Sequence, residues 1–282
     1  MSLKIGRFFG INLYIHWTFW LLPLWVIFTS AGEPEVALPL RLTLLAAMFG
    51  CVVLHEYGHA LTARLFGIAT RDVTLYPIGG VARLERMSEK PWEEFSIAIA
   101  GPLVNLAIAA ILMMGIAAVA ILAPGLLSGL VGTFLSLLVF GNLILFGLNL
   151  LPAFPMDGGR IFRALLSIPM GRLPATRAAV AVSIVMAVLF GIVGVLYLQS
   201  ISLVLIGLFV IWAGQQELLA LEMRERQKQD DAFEEAPEPG HGWHGGRRDV
   251  TVYVWDPRTH QWVYQGIVPP HESDHGRHAH SV

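Results

Sequence analysis

Long apolar runs that carry almost no charge constrain the fold of this chain more than any other feature. Each run is close to the ~20 residues that a helix needs to cross the hydrocarbon core of a bilayer. The runs cover residues 13–29, 37–63, 95–122, 126–151, 178–198 and 200–220. Only 14% of the 282 residues are charged, whereas about 25% is typical of soluble domains. We therefore predict an α-helical polytopic membrane protein with about six transmembrane helices.

The distribution of lysine and arginine predicts how these helices are oriented. Basic residues precede the first run, fill the second loop and follow the fourth run, but the third and fifth loops have none. Cytoplasmic loops of membrane proteins carry an excess of lysine and arginine. We therefore expect a multi-pass protein of the cell (inner) membrane with both termini in the cytoplasm.

The first apolar run has a second interpretation, which is a cleavable signal peptide. Lys4 and Arg7 precede it, as basic residues precede the apolar part of a signal. However, the run is long for a signal, and Trp17, Trp20 and Trp25 are typical of an anchored helix. These tryptophans favour a retained helix, and cleavage would leave the remaining topology unchanged.

Other parts of the chain are too polar to lie in lipid. Residues 70–86 alternate apolar and polar positions around Pro-Ile-Gly-Gly, which predicts a membrane-associated β-hairpin after the second helix. We expect a transmembrane domain over 1–220, a polar linker over 221–248, a small cytosolic β-hairpin region over 249–268, and a disordered His-rich tail over 269–282. A net charge of -2 without a basic patch does not indicate a nucleic-acid partner.

The stretch "VVLHEYGHAL" places ionisable side chains inside the second apolar run. His55 and His59 are four residues apart and share one helix face, and Glu56 follows the first histidine. Two imidazoles at this spacing can bind one zinc ion, and the carboxylate can act on a water at that ion. The pattern His-Glu-x-x-His is a zinc metalloprotease signature. Hydrogen-bonded histidines in a helical bundle are the alternative, but ionisable groups in membrane helices usually mark function.

A catalytic zinc ion needs a third protein ligand. The tail histidines and Cys51 are candidates by residue type, but the tail is expected to be disordered and Cys51 is typical of a small packed helix residue. Asp157 in "NLLPAFPMDGGR" is the better candidate, although it could also be a helix-terminal turn residue. The second and fourth runs cross the membrane in the same direction, so the histidines and Asp157 are predicted at the same depth.

These two motifs, "HEYGH" and "NLLPAFPMDGG", resemble those of the site-2 protease family of intramembrane zinc metalloproteases. The resemblance covers roughly residues 10–220. It implies one zinc ion per chain bound by two histidines and an aspartate, with a glutamate as the catalytic base. Carried over to this sequence, these residues are His55, His59, Asp157 and Glu56.

The resemblance also assigns roles to further residues. It implies that Asn149 holds the substrate or its oxyanion, and that "GPLVN" matches a family motif through Gly101 and Asn105. Asn105 is predicted to contact substrate. Alternatively, Asn105 and Asn149 could form hydrogen bonds between helices. Gly79, Gly80 and Val81 in the predicted hairpin would bind an unwound substrate by strand addition, unless the hairpin is a plain cytoplasmic turn.

The predicted function is cleavage of transmembrane segments of other membrane proteins near the cytosolic side. The partners would therefore be a transmembrane protein substrate and the lipid bilayer. Two alternatives remain, a membrane metal transporter and a non-catalytic membrane scaffold. Neither alternative gives Glu56 a specific role.

Overall fold

The structure is a computed structural model, and it describes residues 2–31, 37–86, 88, 90–197, 199, 201–234, 250–256 and 261–268. The chain divides into two compact units, 1–226 and 227–282. The helices in chain order are α1 (Leu21–Thr29), α2 (Ala37–Leu65), α3 (Pro91–Leu122), α4 (Leu130–Asn149), α5 (Asp157–Met170), α6 (Arg172–Leu196) and α7 (Ile201–Glu234). The strands are β1 (Ser2–Phe8), β2 (Ile11–His16), β3 (Thr70–Tyr76), β4 (Gly79–Leu84), β5 (Val250–Asp256) and β6 (Gln261–Val268).

Within the described residues, five helices are long and apolar enough to cross a membrane, namely α2, α3, α4, α6 and the first part of α7 up to Gln227. The predicted fold class, a helical multi-pass membrane protein with a small sheet, is therefore confirmed. The predicted count of six transmembrane helices is too high by one. The difference lies in the first apolar run, where the helical segment covers only Trp17–Thr29.

The N-terminal part of that run is a strand because its apolar residues alternate. Ile11 and Leu13 are buried and Ile15 packs against the same cluster, while Asn12 and Tyr14 between them point to the other face of β2. Apolar content alone does not distinguish this two-residue period from a helix, which is why the run from residue 13 was predicted as helical throughout. The correction moves residues 13–16 into the sheet.

The first segment nevertheless runs alongside α2 in the opposite direction. Near one end the Tyr57 hydroxyl donates to the carbonyl of Ile11 at 3.4 Å, and near the other Arg41 donates to the hydroxyl of Ser30 at 3.0 Å. Residues 41 and 57 of α2 are separated by about 24 Å along the axis, at ~1.5 Å per residue. A strand followed by a short helix thus covers most of the ~30 Å that a membrane helix would have covered.

The first four strands form one sheet in the order β1-β2-β3-β4, in which β2 and β3 are parallel and the other neighbours are antiparallel. The predicted hairpin is present as β3 and β4, while the N-terminal pair β1 and β2 was not predicted. Buried side chains of β2, β3 and α2 pack together and hold the sheet at the end of α2. They are Ile11, Leu13, Tyr57, Ala60, Val73 and Leu75.

The fourth apolar run forms α4, which ends at Asn149, and the chain turns through residues 150–156 before α5 begins at Asp157. The short helix α5 is not among the five membrane-crossing helices. Its buried face includes Asp157 and Arg163. Asp157 is therefore the first residue of a new helix rather than the last residue of the fourth one.

The second unit contains the predicted C-terminal hairpin as the antiparallel strands β5 and β6. Their register places Tyr253 opposite Tyr264, and Trp255 opposite Trp262. The predicted linker begins as the continuation of α7, and its remainder over 235–249 lies outside the described residues. The predicted disordered tail over 269–282 also lies outside them.

Candidate metal centre

The two histidines of the first motif point to the same side of α2. Their Nε2 atoms are 3.1 Å apart, and the exposed fractions of His55 and His59 are only 6% and 5%. A spacing of four residues places both rings on one face of the helix, one turn apart. The pair is therefore oriented to share one cation.

Asp157 completes a group of three donor atoms. Its Oδ2 atom lies 3.2 Å from Nε2 of His55 and 3.2 Å from Nε2 of His59. The three atoms thus form a nearly equilateral triangle, and the group could hold a metal ion. Tetrahedral zinc with nitrogen and oxygen ligands at ~2.0–2.1 Å separates pairs of ligand atoms by about 3.3 Å. The type and spacing of these donors fit one zinc ion, and the predicted convergence of the two motifs is present.

The surroundings of Asp157 favour the ionised form of its carboxyl group. Burial alone would raise the pKa of this group, but the imidazoles of His55 and His59 outweigh burial and hold the pKa below its usual range. The position at the start of α5 also favours a negative charge, because the amino end of a helix is partially positive. A carboxylate must be deprotonated to bind a metal, so Asp157 is in the required state at neutral pH.

The two glycines after Asp157 allow the loop before α5 to pack on the start of that helix. A Cβ atom on Gly158 or Gly159 would overlap backbone atoms of residues 150–154. The loop is also attached to α6, because the Phe154 amide donates to the Ser183 hydroxyl at 2.9 Å. The glycines of the second motif therefore act by close backbone packing that positions the aspartate.

One face of α3 surrounds the two imidazoles. Nδ1 of His59 donates to the carbonyl of Ile97 at 2.7 Å, and the side-chain amide of Asn105 lies 3.2 Å from Nδ1 of His55. Between these contacts, a Cβ atom on Gly101 would overlap the Nε2 side of both rings. Gly101 therefore leaves open the space in which the donor atoms meet. Asn105, which was predicted to contact substrate, is fully buried, and its side-chain nitrogen faces His55.

Glu56 is buried beside the metal-binding group and contacts the edge strand of the sheet. Its Oε2 atom accepts a hydrogen bond from the backbone amide of Ala82 at 3.0 Å. A Cβ atom on Gly80 would lie 2.5 Å from Cγ of Glu56. Strand β4 can approach the glutamate this closely because residue 80 has no side chain.

The outer edge of β4 carries backbone groups that face away from β3. The Ala82 amide reaches Glu56 rather than β3, so the pair Ala82–Val73 is one of the pairs without ladder hydrogen bonds. Such pairs alternate along antiparallel strands, so the amide and carbonyl of Gly80 also face outward. The three hairpin residues predicted to bind substrate all pair with β3 in the register. By this alternation the backbone groups of Gly79 and Val81 point to β3, while those of Gly80 point to the outer edge.

Two further predicted positions are described by the structure. Asn149 is the last residue of α4 and is half-buried. Cys51 is buried near Asn142, whose side-chain amide donates to its sulfur at 3.3 Å. Cys51 is therefore a packed helix residue and lies outside the group of three metal donors.

A second buried polar cluster was missed in the sequence. Arg163 of α5 is only 1% exposed and donates to the carboxylates of Glu94 in α3 and Glu217 in α7. Burial alone would lower the pKa of Arg163, but the two carboxylates outweigh burial and raise it. The sequence shows Glu94, Arg163 and Glu217 only as three charged residues close to apolar runs. They lie far apart in the sequence, so the sequence does not indicate that they pair.

One sequence family and several curated relatives match this chain. The sequence model of Peptidase family M50 matches residues 43–123 and 117–193, a range that includes both motifs. A zinc metalloprotease of Methanocaldococcus jannaschii is 37% identical over 222 residues, which are 79% of this chain and 62% of that relative. Stage IV sporulation protein FB of Bacillus subtilis is 33% identical over 141 residues, which are 50% of this chain and 46% of that relative. The chain thus spans less than two thirds of each of these relatives.

A solved structure has the same fold. The site-2 protease from Methanocaldococcus jannaschii superposes with a TM-score of 0.56 at 32% sequence identity. The match covers 77% of this chain and 95% of that chain. The likeness therefore extends over nearly all of that structure.

Proposed function

The chain belongs to peptidase family M50, the site-2 protease family, and from this membership we propose that it is an intramembrane zinc endopeptidase. Its substrates would be transmembrane segments of other membrane proteins. The observation that carries the proposal is the meeting of three metal donors inside a helical membrane protein, next to a buried glutamate. This combination provides a metal site and a base at the depth of the substrate.

His55, His59 and Asp157 would hold the zinc ion through Nε2, Nε2 and Oδ2. Zinc, when bound, supplies a Lewis acid that polarises a carbonyl and makes a coordinated water acidic enough to react at neutral pH. The three protein ligands leave a fourth position for water or substrate, as catalytic sites require. Protein side chains would carry out the proton transfer and stabilise the oxyanion.

Glu56 would act as the general base. It takes a proton from the attacking water and later delivers this proton to the nitrogen of the departing amine, so that one peptide bond is hydrolysed. The hydrogen bond from the Ala82 amide orients the carboxylate beside the donors. The second oxygen, Oε1, is then available for the water.

Asn149 would stabilise the negative charge that develops on the substrate carbonyl oxygen. Its position supports this role, because it ends α4 just before the loop that leads to Asp157. Its side chain is half-buried. An amide N–H donor suits an oxyanion, and it adds no charge to a buried site.

The edge of β4 would hold the substrate. A helical segment has its carbonyls already hydrogen-bonded, so it must unwind locally before cleavage. An unwound segment can recover backbone hydrogen bonds by adding as a strand to an open edge. The outward amide and carbonyl of Gly80 lie next to Glu56 and would place the extended segment at the reacting groups.

Cleavage would occur near the cytosolic side of the inner membrane, with both termini of the protein in the cytoplasm. His59 lies six residues before the end of α2 at Leu65, which is about 9 Å along the helix axis. The loop after α2 is rich in basic residues, as cytoplasmic loops are. The metal-binding group would therefore lie shallow in the membrane on that side.

The substitution Glu56→Gln tests this function. We expect the variant to lose peptide hydrolysis by a factor on the order of 10²–10⁴, because it removes the base and keeps the shape of the side chain. Zinc content of the purified protein should stay at one ion per chain. Quantitative proteomics of membranes from cells that express wild type or variant would identify the accumulating uncleaved substrates.

Glu85→Gln is the matched control, because Glu85 is exposed on the loop after β4. It should behave like wild type in both measurements. Unchanged cleavage in Glu56→Gln would refute the proposed role of the glutamate. Zinc uptake into proteoliposomes that is equal for wild type and Glu56→Gln would instead indicate transport.

A further inference from the structure

The two imidazoles can bind a metal through Nε2 only in one of their neutral forms. A neutral imidazole carries one proton, and the nitrogen without it is the ligand or acceptor. Both Nε2 atoms face the shared position with Asp157. Both Nδ1 atoms must therefore carry the proton and need an acceptor.

His59 has such an acceptor in the backbone of α3. Its Nδ1 atom lies 2.7 Å from the carbonyl oxygen of Ile97, and a carbonyl can only accept a hydrogen bond. This contact determines the tautomer of His59 and leaves its Nε2 lone pair for the metal. Metal-binding histidines commonly donate their other N–H in this way.

His55 faces a side chain of the same helix face. Asn105 lies eight residues after Ile97, which is about two helical turns, and its side-chain nitrogen Nδ2 is placed 3.2 Å from Nδ1 of His55. Its carbonyl oxygen Oδ1 is buried and has no hydrogen-bond partner among the described residues. Asn105 is fully buried, with an exposed fraction of 0%. Its amide group can present either the NH₂ donor or the carbonyl acceptor by a 180° rotation that moves no other atom.

We propose that the side-chain carbonyl of Asn105 accepts a hydrogen bond from Nδ1–H of His55 and thereby selects the tautomer whose Nε2 binds the metal. Asn105 is a positioning residue in this role, because it acts through His55 and contacts no substrate. The inference rests on the proposed metal site. It explains why α3 presents Ile97, Gly101 and Asn105 at intervals of four residues. Ile97 accepts from His59, Asn105 would accept from His55, and the glycine leaves space for the donor atoms.

Two substitutions of similar size separate an acceptor from a packing residue. Asn105→Leu removes the acceptor, and Asn105→Asp keeps an acceptor but removes the donor. The measurement is zinc affinity of the purified full chain, by competition with a chelator of known affinity. We expect Asn105→Leu to bind zinc about 10–100 times more weakly, as losses of such contacts usually do. Asn105→Asp should bind at least as tightly as wild type.

Asn142→Leu is the control for removing a buried asparagine from a membrane helix. Asn142 is also 0% exposed, and its amide donates to Cys51 and to the carbonyl of Leu138 rather than to a metal donor. Its zinc affinity should equal that of wild type. Equal affinity in Asn105→Leu and wild type would overturn the proposal, and so would a loss in Asn105→Asp as large as that in Asn105→Leu.

A second readout does not depend on metal. In protein without zinc, ¹⁵N nuclear magnetic resonance of labelled histidines reports which ring nitrogen carries the proton. His55 should be protonated on Nδ1 in wild type and should lose this preference in Asn105→Leu. An unchanged tautomer in Asn105→Leu would contradict the proposal even if the variant were less stable.

The variant His55→Ala separates this inference from the proposed function. If His55→Ala binds zinc as tightly as wild type, the metal site itself is wrong. If His55→Ala loses zinc while Asn105→Leu retains wild-type affinity, the metal site stands and the role of Asn105 is wrong.

Discussion

Two polar clusters connect helices within the unit 1–226, and they differ in whether a protein side chain supplies the cation. The first consists of His55, His59 and Asp157, and every donor atom in it is suited to bind a cation. The second consists of Arg163 with Glu94 and Glu217, in which the guanidinium lies between the carboxylates. Both clusters use α5, at its first and seventh residues.

The difference lies in where the cation comes from. In the second cluster the cation is a side chain of the protein, and Arg163 compensates part of the charge of the two carboxylates. In the first cluster the Nε2 and Oδ2 atoms of three side chains meet, and a bound cation would compensate them. A group of metal donors that contains no arginine or lysine is therefore the candidate metal site.

The largest expected effect comes from removing a donor of the first cluster. Asp157→Ala leaves two imidazoles, and a zinc ion held by two protein ligands should bind more than about 100 times more weakly, since even outer contacts contribute 10–100-fold. Peptide hydrolysis should be lost. Zinc affinity by chelator competition measures the effect. Zinc binding as tight as in wild type would show that the carboxylate is not a ligand.

A smaller effect, on stability rather than on metal binding, should follow from opening the second cluster. Arg163→Met leaves the carboxylates of Glu94 and Glu217 without their partner. Breaking a buried ion pair in this way costs about 3–5 kcal/mol of unfolding free energy. Equilibrium unfolding in detergent should report this loss.

Arg177→Met is the control for that measurement. Arg177 pairs with Glu222 on the surface at 2.9 Å, and exposed pairs contribute only about 0–1 kcal/mol. If Arg163→Met and Arg177→Met had equal unfolding free energies, the buried pairs of Arg163 would contribute no more to stability than the surface pair of Arg177, and our inference would be wrong.

The smallest expected effect is that of removing zinc from wild type. An ion that binds only the folded state stabilises it by about 2.7 kcal/mol when its concentration is 100 times the dissociation constant. A chelator should therefore lower the unfolding free energy of wild type by roughly this amount. It should have no effect on Asp157→Ala, which would distinguish loss of bound zinc from general effects of the chelator.

The part of the fold that could be predicted from sequence is the part with local patterns. Five of the predicted crossings and the hairpin over 70–86 have strong signals of length, apolarity and turn residues, and the structure contains them. The prediction for the first run was wrong because its many apolar residues hide the alternation that begins at Ile11 and Leu13. Joining β2 to β3 in parallel brings together residues about sixty positions apart, which no local pattern predicts.

The candidate site shows the same division. His55 and His59 could be paired from sequence because a helix relates residues four apart by simple geometry. The contact of Asn105 with His55, the approach of Gly80 to Glu56 and the cluster around Arg163 join separate elements. They depend on how helices and sheet pack, so the contact of Asn105 with His55 could not be predicted from the sequence.

The sequence by itself determined that this chain is built from membrane-spanning helices and that α2 carries a pair of histidines on one face, because hydrocarbon length and helical periodicity act over neighbouring residues. Only the tertiary structure decided which groups surround that pair. The packing of α3, α5 and β4 against α2 places the carboxylate of Asp157, the carbonyl of Ile97, the amide of Asn105 and a strand edge close to it. Such proximity arises when distant segments bury their surfaces together, and that is a property of the whole fold.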